Sequence, residues 1–141
     1  MEVRVALRDA GGATVARASG GTGELSVADV HPWRPGEGYL YDLDVELWGE
    51  GDAPVDAYSL AVGVRTVQVD GARFLINGEP FHFRGFGRHE DAAVRGKGHD
   101  NPFMVHDFAL MEWLGANSFR TSHYPYAEEV LDYADLSLIH I

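Results

Sequence analysis

Cysteine is absent from the 141-residue chain. Its absence excludes disulfide bonds and metal sites that are built on thiolates. Basic residues are also scarce, because 11 Lys and Arg stand against 22 Asp and Glu, for a formal net charge of -11. Nucleic acids and anionic membranes bind clustered cations, so this charge argues against either as a partner.

Long apolar runs are missing too. No stretch approaches the ~20 apolar residues that a membrane span requires. The opening residues, MEVRVALRDAGG, lack the basic and apolar regions of a signal peptide. We therefore expect a cytoplasmic protein.

The first half of the chain has the alternating pattern of β-strands. Apolar and polar residues alternate in VRVAL, TVARA, ELSVADV, YLYDLDVELW and DAYSLAVGVRTVQV, and glycine-rich turns separate these segments. Strands without intervening helices predict an antiparallel sheet, here part of a β-sandwich. Trp33, Tyr39 and Tyr41 are expected to pack in the core or at an interface rather than to form a stacking surface for sugars.

Near residue 66 the pattern changes to that of an α/β protein. A hairpin is predicted at Asn77-Gly78, and a long polar loop follows it. A helix is predicted from an N-cap at Asn101 to a stop at Gly115. Its expected buried residues are Met104, Phe108 and Met111, with Val105 alongside and Trp113 at its end.

A short strand, ANSFRTS, and a second helix, AEEVLDYADL, complete the series. The order strand, loop, helix, strand, helix is typical of a parallel sheet. The apolar tail, residues 136–141, fits neither a helix nor a complete strand, and we predict that it is not native to the parent protein.

Polar clusters follow the two predicted parallel strands. They consist of Arg88, His89, Glu90 and Asp91, and of Arg120, Ser122, His123 and Tyr124. Ligands of α/β folds bind at the carboxyl ends of the strands, so both clusters are expected to face one pocket. A structural salt-bridge network is the alternative. The histidines lack the spacing of zinc ligands, so no metal is predicted.

The second cluster carries a recognisable signature. NSFRTSHYPYAEEVLDYAD resembles the Asn-x-x-Arg-small-small-His-Tyr-Pro motif of glycoside hydrolase family 2, and GFGRHEDAAVRGKGHDN resembles its β-glucuronidase branch. The resemblance implies a multidomain fragment. Residues 1–65 would be a partial immunoglobulin-like β-sandwich, and residues 66–141 would be the first βαβα of a (β/α)8 TIM barrel.

The same resemblance implies a function for the parent protein. It would be a retaining glycosidase that hydrolyses β-glucuronides without a cofactor, and a homo-oligomer is compatible with it. Arg120 and His123 match positions that line the sugar site and orient the catalytic carboxylates, and His89 matches a residue that reaches the same site. Gly87 and Asp91 favour the glucuronidase pattern over that of the galactosidases.

The chain departs from the family in one respect. A retaining glycosidase needs two carboxylates about 5–5.5 Å apart, and the family's acid/base glutamate follows an asparagine. No asparagine of this chain precedes a glutamate, and the adjacent Glu90 and Asp91 cannot easily flank a glycosidic bond from opposite sides. Both catalytic glutamates are thus missing, and the chain is predicted to be inactive. The alternative is a non-catalytic β-sandwich module that binds glycans or a protein.

Overall fold

The computed structural model describes residues 1–137. Most of the tail predicted to be non-native therefore lies outside the described residues. The chain divides into two compact units. The first contains Met1–Trp33 and Tyr39–Val64, and the second contains Arg34–Gly38 and continues from Arg65.

The first unit is a four-stranded antiparallel sheet. Its strands are β1 Glu2–Arg8, β2 Thr14–Ser19, β3 Tyr41–Trp48 and β4 Pro54–Val62. Their spatial order is β2-β1-β3-β4, and the central β1 places Val5 between Ala18 and Val45. The antiparallel prediction is confirmed, and one sheet rather than two layers is present among the described residues of this unit.

One predicted strand of the first unit is wrong. The segment from Glu24 to Val30 is irregular and turns at Ala28 and Asp29. Asp29 has a φ of 53°, which places it in the left-handed region and ends the extended backbone. Alternation alone could not reveal this turn.

The aromatic residues of the first unit pack as predicted. Trp33 has 0% and Tyr41 3% of its surface exposed. The amide of Trp33 donates to the carbonyl of Val64 at 2.9 Å, and the hydroxyl of Tyr41 accepts from the amide of His31 at 2.8 Å. Tyr39 stacks on the His31 ring with centroids 4.1 Å apart.

The second unit combines short strands with two helices. In chain order they are β5 Val67–Asp70, β6 Arg73–Ile76, β7 Glu79–Pro80, β8 Gly85–Arg88, β9 Asp91–Ala92, β10 Gly96–Lys97, α1 Asn101–Trp113, β11 Ser118–Thr121 and α2 Glu128–Leu136. β5, β6 and β7 form an antiparallel sheet, β9 and β10 a hairpin, and β8 and β11 a parallel pair. Residues 1–137 thus hold one parallel strand pair and no closed barrel.

Turn chemistry in the second unit follows the sequence closely. Asn77 and Gly78 link β6 to β7 with φ values of 51° and 80°, as the predicted hairpin requires. The polar loop after β8, predicted to be irregular, contains the β9–β10 hairpin. The predicted stop of α1 at Gly115 is also confirmed, since its φ is 74° and glycine adopts this conformation without strain.

The start of α1 differs from the prediction by one residue. The N-cap is Asp100, not Asn101: it has an extended backbone, and its carboxylate accepts from the amide of Phe103 at 3.1 Å. Asn101 is the first helical residue, and its side chain bonds the His99 ring at 2.6 Å instead. Both residue types cap helices well, so composition could not choose between them.

The buried face of α1 is narrower than predicted. Met104, Phe108 and Met111 are buried, but Val105 is 44% and Trp113 81% exposed. Successive helical residues are rotated by about 100°, so both side chains point away from the buried stripe.

The core of the second unit lies where both helices meet β11. Its buried members are Met104, Phe108, Met111, Phe119, Val130 and Ala134. The Phe108 ring meets Phe119 edge-on at 5.4 Å and Tyr133 at 5.0 Å. Burial of each large apolar side chain contributes about 1.5–3 kcal/mol, so this cluster anchors the segment that leads to the candidate site.

Asn117 fixes the starts of the two parallel strands. Its amide donates to the carbonyl of Arg84 at 2.8 Å, and its side-chain oxygen accepts from the amide of Arg84 at 2.7 Å. Its side-chain nitrogen donates to the carbonyl of His82 at 2.8 Å. The pair then runs in register from Ser118 opposite Gly85 to Thr121 opposite Arg88.

Candidate active-site wall

The two predicted polar clusters leave the sheet side by side. β8 ends at Arg88 and β11 at its partner Thr121, so His89 and His123 emerge from neighbouring strand ends. Their ring centroids lie 6.3 Å apart, and both residues are exposed. The structure thus brings together two of the three predicted site residues.

Arg120, the third predicted site residue, lies within β11. Side chains alternate along a strand, so Arg120 projects from the face opposite to Phe119, which packs under α1. Arg120 lies opposite Gly87 in the strand pair, and both residues line an open groove beside the two strands. The guanidinium is exposed and thus accessible to a ligand.

His123 has an unusual backbone conformation. Its φ is 68°, a value that few residues other than glycine adopt and that carries strain. Its amide donates to the carbonyl of Thr121 at 3.2 Å, which closes a tight turn directly after the strand. The strain is an observation that points to a functional constraint at this position.

Two tyrosines tie the segment around His123 to the end of β8. The amide of Glu90 donates to the hydroxyl of Tyr124 at 2.6 Å, and the hydroxyl of Tyr126 donates to the carbonyl of Arg88. The two phenol rings stack with centroids 5.0 Å apart. The amide of Ser122 also donates to the carbonyl of Arg88 at 3.2 Å, so the segment is held on both sides of His123.

Burial of Tyr126 affects its ionisation. Loss of solvent around the phenol raises the pKa of Tyr126 above its ordinary value of 10.0. The neutral phenol is the form that donates to a carbonyl oxygen, so this contact persists throughout the neutral pH range.

The carboxylates near the two histidines have protein partners. Oε1 of Glu90 accepts from the amide of Ala127 at 3.3 Å and lies 3.8 Å from Nδ1 of His99. An oxygen of Asp91 lies 3.8 Å from Nδ1 of His89. Asp107 accepts from Nε of Arg88 at 3.2 Å. These contacts give Glu90 and Asp91 separate partners.

Sequence reasoning missed two contributors to this region. Lys97, at the end of β10, holds its ammonium 4.3 Å from the centroid of the Tyr124 ring. Asp107 reaches Arg88 from the middle of α1. No periodic pattern marks the loop that carries Lys97, and one carboxylate on a helix is unremarkable in a sequence. Both residues are identified only by their contacts in the folded chain, Asp107 with Arg88 and Lys97 with Tyr124.

Residues 1–137 contain neither a metal-binding cluster nor a membrane-spanning helix. This range holds no group of three His, Asp or Glu side chains arranged to bind a metal ion. Neither helix of the range has the length and apolar character needed to cross a membrane.

Family profiles account for nearly the whole chain. A profile described as "Glycosyl hydrolases family 2" matches residues 1–65. A second, described as "Glycosyl hydrolases family 2, TIM barrel domain", matches residues 67–141. The first matches the sheet of the first unit, and the second contains β8, β11 and the residues that follow them.

Individual proteins are similar over the same range. A beta-glucuronidase of Paenibacillus borealis is 54% identical over 134 residues, which cover 95% of this chain and 22% of that protein. The structure of a beta-D-glucuronidase from Dictyoglomus thermophilum is 49% identical, with a TM-score of 0.90 over 98% of this chain and 24% of that one. The structure of the Ruminococcus gnavus b-glucuronidase in complex with D-glucuronic acid is 39% identical. Its TM-score is 0.93 over 98% of this chain and 24% of that one.

The chain therefore spans between a fifth and a quarter of the length of these relatives. Within that span, two family profiles, an identity of about half and the fold all agree. The chain belongs to glycosyl hydrolases family 2.

Proposed function

We propose that this chain forms one sugar-binding wall of a retaining β-glucuronidase. The observation that carries the proposal is the pair of exposed imidazoles of His89 and His123, 6.3 Å apart at the ends of two neighbouring parallel strands. Sites of barrel enzymes lie at these strand ends. The family membership makes a glycosidic bond the expected target.

The proposed roles follow from chemistry and position. An imidazole can donate to or accept from a sugar hydroxyl, and the exposed guanidinium of Arg120 can orient a carboxylate. We assign sugar contact to His123 and Arg120, and completion of the wall to His89. The substrate class rests on the relatives, which include a b-glucuronidase in complex with D-glucuronic acid. No cofactor takes part in this chemistry.

A chimera provides the test. Residues 3–135 would replace the matching segment of the Paenibacillus borealis beta-glucuronidase, which is 54% identical. We expect the chimera to hydrolyse p-nitrophenyl β-D-glucuronide and to release the β-anomer first. His123→Ala should lower kcat/KM by about 100-fold. Glu112→Gln, which changes an exposed residue of α1, should leave it unchanged.

Two outcomes would contradict the proposal. A folded chimera that cleaves the neutral β-galactoside and not the glucuronide would refute the substrate class. If the chimera had the circular dichroism spectrum of the natural relative but hydrolysed neither compound, the proposed glycosidase function would be refuted.

The chain alone is proposed to be inactive. Hydrolysis with retention needs two carboxylates about 5–5.5 Å apart across the bond, and the carboxylate of Glu90 is committed to Ala127. We expect no release of fluorophore from 4-methylumbelliferyl β-D-glucuronide by the 141-residue chain. Turnover above that of a His123→Ala control would refute this expectation.

The alternative is a non-catalytic sandwich module that binds glycans or a protein, and for glycans Trp33 would be the stacking surface to test. Trp33 has no exposed surface, so it offers a glycan no ring face.

A further inference from the structure

We propose that Glu90 is a positioning residue that holds His123 in place for sugar binding. This inference rests on the proposed function, because it assigns a role within the same wall. Glu90 would act through two hydrogen bonds, one from its backbone and one to its carboxylate. Both end on the segment that follows His123.

Glu90 is placed to act on both histidines. It follows His89 directly, and its side chain is only 11% exposed. Its amide donates to Tyr124, the residue after His123. Its carboxylate accepts from the amide of Ala127. Glu90 thus binds the segment at two points, three residues apart, from the opposite strand end.

The contact with Ala127 lies at a helix start that has no side-chain cap. Ala127 is the N-cap of α2, and its side chain makes no capping hydrogen bond. Alanine has no acceptor to offer the free amides of the first turn. The carboxylate of Glu90 accepts instead from the amide of Ala127 itself, and negative charge is favourable at a helix N-terminus. Glu90 therefore ties the first residue of the α2 start to the end of β8.

A strained residue needs such support on both sides. The left-handed backbone of His123 (φ 68°) persists only when its surroundings hold it. Before His123, the amide of Ser122 is bound to Arg88. After it, Tyr124 and Ala127 are bound to Glu90. Loss of the Glu90 carboxylate would leave the hydroxyls of Tyr124 and Tyr126 to tie the downstream side to the end of β8 by hydrogen bonds.

The surroundings of Glu90 fit a structural carboxylate rather than a catalytic one. Nδ1 of His99 lies 3.8 Å from Oε1 of Glu90, and the His99 side chain is itself only 22% exposed. The neighbouring cation, Arg88, is bound to Asp107. A buried acceptor with a backbone donor is satisfied as it stands.

The chimera provides the kinetic test. Glu90→Gln keeps an acceptor oxygen of equal reach, whereas Glu90→Ala removes it. We expect kcat/KM of the Glu90→Gln variant to stay within about threefold of that of the unmutated chimera. Glu90→Ala should lower kcat/KM by about 10- to 100-fold, because small displacements of reacting groups cost that much. The inhibition constant of D-glucuronic acid should rise with Ala and stay unchanged with Gln. Glu112→Gln is the control.

Tyr124→Phe provides a second variant. It keeps the ring stacked on Tyr126 and removes only the hydroxyl that accepts from Glu90. A loss of D-glucuronic acid affinity at unchanged melting temperature supports the positioning role. This variant also decides the matter if Glu90→Ala fails to fold.

Three outcomes would overturn the inference. Glu90→Ala with unchanged kcat/KM and inhibition constant would show that the carboxylate positions nothing. If Glu90→Gln lost as much kcat/KM as Glu90→Ala, and one limb of its pH–rate profile disappeared, Glu90 would be a catalytic group and not a positioning residue. An unchanged inhibition constant in Tyr124→Phe would show that the bond from the Glu90 amide does not hold His123 in place, and would overturn the inference as well.

A measurement on the 141-residue chain separates this inference from the proposed function. In its NMR spectrum, the His123 amide and ring resonances should move in Glu90→Ala and stay in place in Glu90→Gln. This readout does not depend on turnover. If the chimera were inactive but these spectral changes occurred, the proposed glycosidase function would be refuted and the positioning role of Glu90 would be supported. If the spectra of Glu90→Ala were unchanged, the positioning role would be refuted.

Discussion

Gly85 and Ser118 approach each other so closely across the parallel strand pair that no other residue fits at position 85. A Cβ atom added to Gly85 would lie 1.9 Å from the carbonyl oxygen of Ser118. Backbone atoms cannot move aside as a flexible side chain can, so the constraint acts on strand pairing itself. The distance between the strand ends that carry His89 and His123 depends on it.

Gly85→Ala should therefore destabilise the second unit. We expect its free energy of unfolding to fall by about 1–3 kcal/mol, as in overpacked cores, in urea titrations followed by circular dichroism. Gly87→Ala in the same strand is the matched control, because its Cβ would meet only Oγ of Ser122 at 3.5 Å, an ordinary contact. Equal effects of the two substitutions would contradict the close approach.

The observed cap of α1 can be tested against the predicted one. Asp100→Ala removes the acceptor for the amide of Phe103 and should cost about 1 kcal/mol. Asp100→Asn keeps a capping oxygen and should cost little, since the ion pair that it breaks involves an exposed Arg95. Asn101→Ala should also cost little in urea unfolding. If Asn101→Ala lowered the free energy of unfolding more than Asp100→Ala, Asn101 would be the N-cap, as the sequence predicted.

Acid should weaken one cross-strand contact of the first unit. A hydrogen bond from Arg8 lowers the pKa of Asp44 below its ordinary value of 3.8, and a second from Ser59 adds to the effect. A lowered pKa means that the contribution of Asp44 is present above the unfolded value of about 3.8 and is lost as pH falls through the folded one. Asp44→Asn should thus be less stable than the unmutated chain near neutral pH.

The difference between the two proteins should shrink in strong acid, and urea midpoints at both pH values provide the measurement. Asp52→Asn, at an exposed loop position, is the control and should show no such convergence. A constant difference across the pH range would mean that Asp44 acts by packing alone.

The two large aromatic residues of α1 should respond very differently to truncation. Phe108 is 3% exposed and contacts Phe119 and Tyr133, so Phe108→Ala should cost about 3–5 kcal/mol. Trp113 is 81% exposed, and Trp113→Ala should cost less than about 1 kcal/mol. Thermal unfolding of the 141-residue chain measures both. A comparable loss for Trp113 would show that it packs in solution, as its sequence position predicted.

The sequence predicted those features that depend on local chemistry. The Asn77-Gly78 turn and the stop at Gly115 follow from residues that adopt positive φ. The stripe of Met104, Phe108 and Met111 follows from helical periodicity. The His-Tyr-Pro signature marked the candidate site, although the roles of His89, Arg120 and His123 in sugar binding stay predictions.

Features that depend on contacts between distant residues could not be predicted. The strand expected at Glu24 to Val30 fails because a left-handed Asp29 interrupts an apolar alternation. The helix cap is Asp100 because of where the backbone becomes helical, which composition does not encode. The role proposed for Glu90 needs the proximity of Ala127, which lies 37 positions along the chain.

The contacts of Asn117 have a consequence for the order of folding. Its side chain bonds Arg84 across a separation of 33 residues. Closing a loop of this length lowers the conformational entropy of the chain before any contact between the strands can offset that cost. Helix α1 is local and can form early, whereas β8 and β11 can pair only after the crossover has closed. We therefore expect the two histidines to become neighbours late, so that the proposed sugar affinity would report how much of the population has completed that step.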